Sequence, residues 1–125
     1  MNILIAVFLG GGTGAVSRYL ITDLINRLLP SHIGYGTISS NLIGAFLMGL
    51  IFYFISSKVL VNEQLKVFLT IGFLGGFTTF SSFNLEFYTL IETSSYLMAF
   101  AYAALTLIGT VLLFFIGFNF VRFFF

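Results

Sequence analysis

Only nine of the 125 residues carry charge: Arg18, Asp23, Arg27, Lys58, Glu63, Lys66, Glu86, Glu92 and Arg122. That scarcity limits the fold more than any other feature. An ordinary soluble domain is roughly a quarter charged, and nine charges cannot cover a globule of this length in water. Disorder is excluded as well, because disordered chains are poor in apolar residues and this one is 59% hydrophobic. An integral membrane protein is the class that remains. The net charge of +1 offers no electrostatic case for nucleic acid. The absence of cysteine removes disulfides, thiolate catalysis and Cys-based zinc or iron–sulfur sites.

A membrane-crossing helix needs about 20 mostly apolar residues. Four such segments are predicted, at 2–25, 35–56, 66–91 and 96–120, forming one all-α domain over residues 1–125. The breaks hold the charges and turn formers: Asn26 to Gly34 with Pro30, Ser57 to Gln64 with Lys58, Asn62 and Glu63, and Glu92 to Ser95. The apolar runs are continuous rather than alternating, which argues against a β-barrel. The N-terminus lacks a basic leader, so Met1 onward is read as the first span rather than a cleaved signal. With four spans, Lys58, Lys66 and Arg122 share one side, and Arg27 and Arg18, near the end of span one, share the other. Three against two is almost no bias for the positive-inside rule to act on. Either one topology is weakly determined, or the chain inserts both ways and pairs antiparallel.

Most of the thirteen glycines lie inside spans. Gly10 and Gly14, Ser40 and Gly44, Ala45 and Gly49, and Gly72 and Gly76 are each four apart, the spacing that lets helices approach closely in lipid. Gly10 to Ala15 imitates a dinucleotide fingerprint, but that motif must join a strand to a helix in a βαβ unit, for which this span has no room.

Span three is unusual. Gly72, Gly75 and Gly76 precede Thr78, Thr79, Ser81 and Ser82, where the bilayer middle should be. Glycine weakens a helix, so unwinding is expected from Gly75 to Thr78, and bulk at Gly75 should distort that turn. The alternative is a kinked packing helix. Unwound backbone at membrane depth must be buried in protein or line a wet cavity, and discontinuous spans form ion sites in transporters. Phe80 and Phe83 share a helical face with Glu86 and Phe87. Such a stripe can be simple packing, yet ring edges are positively polarised and can hold an anion weakly. Asn41, in the middle of span two, shares its face with Thr37 and Gly44 and can donate from its amide. Tyr102, Thr106 and Thr110 form a polar strip on span four, although buried hydroxyls also bond to their own backbone. These residues outline a narrow donor-lined path with no basic residue in its middle. It suits a small anion that is hard to dehydrate.

The whole chain resembles the Fluc family of fluoride channels, also called the CrcB family. The resemblance rests on Gly11-Gly12-Thr13-Gly14-Ala15-Val16-Ser17-Arg18-Tyr19, on Gly36 to Phe46 with Thr37, Asn41 and Gly44, and on Gly72 to Phe83 with its Gly-Gly and Thr-Thr-Phe-Ser core. It implies passive fluoride export across the inner or plasma membrane of a cell, relieving fluoride toxicity. It implies an antiparallel dual-topology homodimer with two pores at the subunit interface. The pathway would run past Asn41, Phe80, Phe83, Ser81, Thr37, Tyr102, Thr106, Thr110 and Glu86, with Arg18 in the vestibule. A structural sodium ion on the two-fold axis would be held by the carbonyls of Gly75 and Thr78, with water as the alternative occupant.

Three other readings remain. A proton-coupled four-span multidrug exporter needs a membrane carboxylate, and Glu86 is the sole central candidate. A fluoride/proton antiporter makes the same demand, and a non-transporting membrane scaffold makes none. An enzyme is not expected: His32 is a lone loop histidine, and no nucleophile–base set can be assembled.

Overall fold

The computed structural model describes residues 2–31 and 33–125. The expectations placed on Met1 and His32 lie outside the described residues. All the regular structure among them is helical. The order is α1 (Ile3–Leu28), α2 (Tyr35–Ser56), α3 (Glu63–Val67), a π-helical stretch (Phe68–Leu74), α4 (Gly75–Phe77), α5 (Phe80–Glu92) and α6 (Tyr96–Phe124). Four spans are long and apolar enough to cross a membrane: α1, α2, residues Glu63–Glu92 and α6.

Three of the spans run past their expected ends, because residues read as loop formers cap or continue helices. Asn2 accepts from the Leu4 N–H and opens α1. Asp23 and Arg27 pair at 2.8 Å across one turn and carry α1 on to Leu28. Asn62 accepts from the Leu65 N–H at 2.8 Å, so the third span begins at Glu63. Arg18 therefore lies ten residues inside the end of α1, deeper than expected. At 29 residues, α6 is about 43 Å long by its rise of 1.5 Å per residue, more than a ~30 Å hydrocarbon layer. It must tilt or project into the headgroups.

Small residues make the two main seams. Along α1 and the third span, a Cβ on Gly10 would fall 2.5 Å from the Phe68 carbonyl oxygen, and one on Gly76 would fall 2.5 Å from that of Gly11. Between α2 and α6, Gly49 stands against the Phe114 carbonyl and Gly117 against that of Phe46, with no space for a methyl at either. Backbone-to-backbone approach of this kind holds helices together in lipid, where no hydrophobic force drives them. Gly10, Gly14, Gly49, Gly72 and Gly76 thus lie in the seams, Gly44 stands against the Thr78 and Phe77 side chains, and a Cβ on Gly11 or Gly12 would meet open space. Gly10 to Ala15 is helical throughout. In the π stretch the Gly75 N–H reaches back to the Thr70 carbonyl, five residues earlier.

Candidate functional site

Side-chain competition ends α4. Thr78 (φ −86°, ψ 155°) and Thr79 (φ −151°, ψ 124°) are extended, and α5 starts at Phe80. Sequence reasoning placed the unwinding from Gly75 to Thr78, but Gly75 is helical at φ −63°, ψ −35°. The extended residues are the two threonines, since glycine only weakens a helix while polar groups actively displace its bonds. Asn41 Oδ1 accepts from the Thr79 N–H at 2.7 Å, and Asn41 Nδ2 donates to the Thr79 carbonyl at 3.0 Å. Thr79 Oγ1 accepts from the Ser82 N–H at 3.2 Å and caps α5.

These bonds change which carbonyls are free. In a continuous helix the Thr79 N–H would serve Gly75, and the Ser82 N–H would serve Thr78. Both donors are diverted, so the carbonyls of Gly75 and Thr78 lose their helical partners. Leu74 instead receives two donors from Thr78, its N–H at 3.0 Å and its hydroxyl at 2.9 Å. A Cβ on Gly75 would meet only the Thr70 carbonyl at 3.7 Å, an ordinary contact. The expectation that bulk there distorts the turn is corrected for the single chain: that face is open.

Two cavities flank Thr79, which lines both. One, of about 370 Å³, is walled by Asn41, Gly44, Phe80, Thr106 and Thr110. The other, of about 280 Å³, is walled by Arg18, Thr22, Thr37, Ser82 and Glu86. In the first, the Thr106 hydroxyl is buried with no partner among the described residues. Such an orphan is uncommon enough to imply a missing partner. The Thr110 hydroxyl, by contrast, bonds to the Thr106 carbonyl at 2.7 Å. Asn41 lends one amide hydrogen to Thr79 and keeps the other, so it is a staple of the break as well as a candidate donor.

Tyr102 departs from the expected strip. Its hydroxyl donates to Glu86 Oε2, and Thr37 donates to Glu86 Oε1 at 2.7 Å. The carboxylate fills the space a Cβ on Gly34 would need, and Gly34 adopts φ 68°, which glycine tolerates best. Glu86 thus sits over the first turn of α2, where backbone dipoles favour negative charge. Phe83 is buried and stacked on Phe80 and on Tyr102, both with ring centroids 5.2 Å apart. Stacking occupies ring faces and leaves rims as the remaining polarised surface. Phe80 is 65% exposed. Ser81 and Phe83 line neither cavity; the Ser81 hydroxyl lies 3.1 Å from that of Thr79. Thr79 is the residue that the sequence reading left out. Its signal was present, a hydroxyl three residues before Ser82 at a helix start. No group of three His, Asp or Glu side chains gathers among the described residues as a metal site, so a cation there would depend on backbone oxygens.

Residues 5–118 match the family model described as CrcB-like protein, Camphor Resistance (CrcB). The chain is 41% identical over 117 residues to the fluoride-specific ion channel FluC of Phocaeicola vulgatus, covering 94% of this chain and 93% of that one. It is 45% identical over 100 residues to the protein of the same name from Coxiella burnetii, covering 79% and 80%. With that of Geobacter sulfurreducens it shares 40% over 114 residues, covering 88% and 92%.

Proposed function

The chain belongs to the CrcB-like family, and from that premise we propose that it is a multi-pass membrane channel selective for fluoride, not an enzyme. The observation that carries the reading is donor chemistry without a cation. The larger cavity brings together the Asn41 amide, the orphaned Thr106 hydroxyl and the exposed ring of Phe80, with no Lys or Arg on its wall. Neutral donors and ring edges can replace part of an anion's hydration without trapping it, which conduction requires. Fluoride enters cells as neutral hydrogen fluoride, ionises in a less acidic interior and is held there as the anion. A passive exit relieves that accumulation.

In this reading fluoride passes between the two cavities at Thr79, with Arg18 in the vestibule and Asn41, Phe80 and Thr106 beyond it. Phe83 orients Phe80, while Thr37 and Tyr102 hold Glu86. The channel is an antiparallel dual-topology homodimer. The near-equal Lys/Arg count supports it, and so does the open face: Phe80 and Gly75 are uncovered in one chain. Non-helical backbone cannot face lipid, so a second copy closes the pathway. A sodium ion fits the carbonyls of Gly75 and Thr78, which have lost their helical donors, since hard cations take oxygen ligands. When bound it supplies positive charge that satisfies those carbonyls and offsets anion repulsion. Expression in a fluoride-sensitive bacterium tests the reading. Growth in fluoride should be restored; a folded, membrane-inserted chain that leaves growth unrestored refutes it.

A further inference from the structure

We propose that Arg18 is the positioning residue of the break, supplying from α1 the hydrogen bond that the Gly76 carbonyl loses. A continuous helix would send the Phe80 N–H to that carbonyl. Here Phe80 begins the next helix after two extended residues, and Arg18 Nε donates to Gly76 at 3.1 Å, from 58 residues away in sequence. The clamp is seated by the closest part of the seam: Gly14 stands against the Phe73 carbonyl, and Gly76 against that of Gly11. The cationic side chain also lies at the carbonyl end of the helical run 63–77, where partial negative charge collects. The rest of Arg18 lines the smaller cavity with Thr37 and Glu86.

The clamp has a consequence for the neighbouring oxygens. It occupies one of the four carbonyls, Gly75 to Thr78, whose helical donors the break removes, and leaves those of Gly75, Phe77 and Thr78. Arg18 thereby takes the Gly76 oxygen out of the set left for a cation. That second statement rests on the sodium reading above; the clamp itself does not.

Two variants separate the bond from the charge. In Arg18→Gln the side-chain amide nitrogen follows the same three carbons as Nε, so the donor stays and the charged head goes. In Arg18→Met the chain length stays and the donor goes. Hydrogen–deuterium exchange of the full-length protein in lipid nanodiscs reads the amides from Phe77 to Ser82. Wild type and Arg18→Gln should exchange alike, and Arg18→Met at least tenfold faster. Arg18→Met as slow as wild type, or Arg18→Gln as fast as Arg18→Met, overturns the proposal. Failure of Arg18→Met alone to fold supports it, and failure of both overturns it, because Gln keeps the bond. In fluoride efflux, the sodium concentration for half-maximal flux should rise about tenfold in Arg18→Met and stay near wild type in Arg18→Gln. Equal values in the two variants would remove the link to the cation. Wild-type flux indifferent to sodium would sink the sodium reading alone, and the exchange experiment would still decide the clamp.

Discussion

Replacing Asn41 by alanine deletes both bonds that hold Thr79 out of the helix. The side chain lies 7% exposed, so water cannot take its place at once. The Thr79 N–H is left unpaired, at about 1–3 kcal/mol, and its carbonyl, which as the N-cap of α5 keeps the Phe83 N–H, loses a second bond at about 0.5–1.5 kcal/mol, or about 3 kcal/mol together. The chain has one inexpensive repair: the Thr79 N–H can return to the Gly75 carbonyl by extending α4. That repair straightens the third span and closes one of the two proposed sodium ligands. At ~1.4 kcal/mol per decade, about 3 kcal/mol lowers the population with the break in place by about a hundredfold. Fluoride efflux from liposomes should fall to a similar degree. Asn41→Asp is the companion variant. It keeps the acceptor for the Thr79 N–H, so the break survives, but it sets an anionic oxygen against the Thr79 carbonyl and in the pathway. Its flux should also vanish, while exchange at Thr79 stays slower than in Asn41→Ala. Wild-type flux in Asn41→Ala would refute this, because no other side chain among the described residues holds Thr79 by both its N–H and its carbonyl.

Other outcomes follow from the same geometry. Phe80→Ile should cut efflux at least tenfold while size-exclusion chromatography shows the same assembly as wild type. Gly49→Val puts branched carbon against the Phe114 carbonyl and should destabilise the α2–α6 seam by at least ~1–3 kcal/mol, the usual cost of overpacking, read as a lower thermal midpoint. Val59→Lys with Val61→Lys, both exposed in the second loop, should bias insertion so that this loop is cytoplasmic; the variant should be inactive alone and recover with an oppositely biased copy. Prolonged dialysis against a large organic cation should reduce flux if sodium is required. Gly75→Val should do the same only through the second copy, since its own chain leaves room there.

Much of the architecture is legible because lipid allows few solutions. Continuous apolar runs required helices, and span two was read to both ends because Gly34 and Ser57 stop it. The glycine spacing also carried through, since a seam such as Gly10 with Gly72 needs only the absence of side chains. What failed depended on competition between polar groups. Asn62 looks like a loop residue until its side chain is seen to cap a helix. The break was assigned to glycines because propensity is visible along one segment, while the staple comes from Asn41, 38 residues away. Tyr102, Thr106 and Thr110 share one face, yet their hydroxyls go to a carboxylate, to no partner among the described residues and to the backbone respectively. Periodicity fixes the face of a side chain but not the partner of its last atom.

Passive conduction of fluoride is decided by electrogenic efflux from liposomes. Vesicles loaded with potassium fluoride, with no pH gradient, are opened to potassium by valinomycin and followed with a fluoride electrode. Fluoride should leave rapidly only once valinomycin is present, vesicles lacking protein should stay closed, and chloride-loaded vesicles should retain their anion. Efflux that needs an imposed proton gradient, or equal release of chloride, would contradict a fluoride-selective channel.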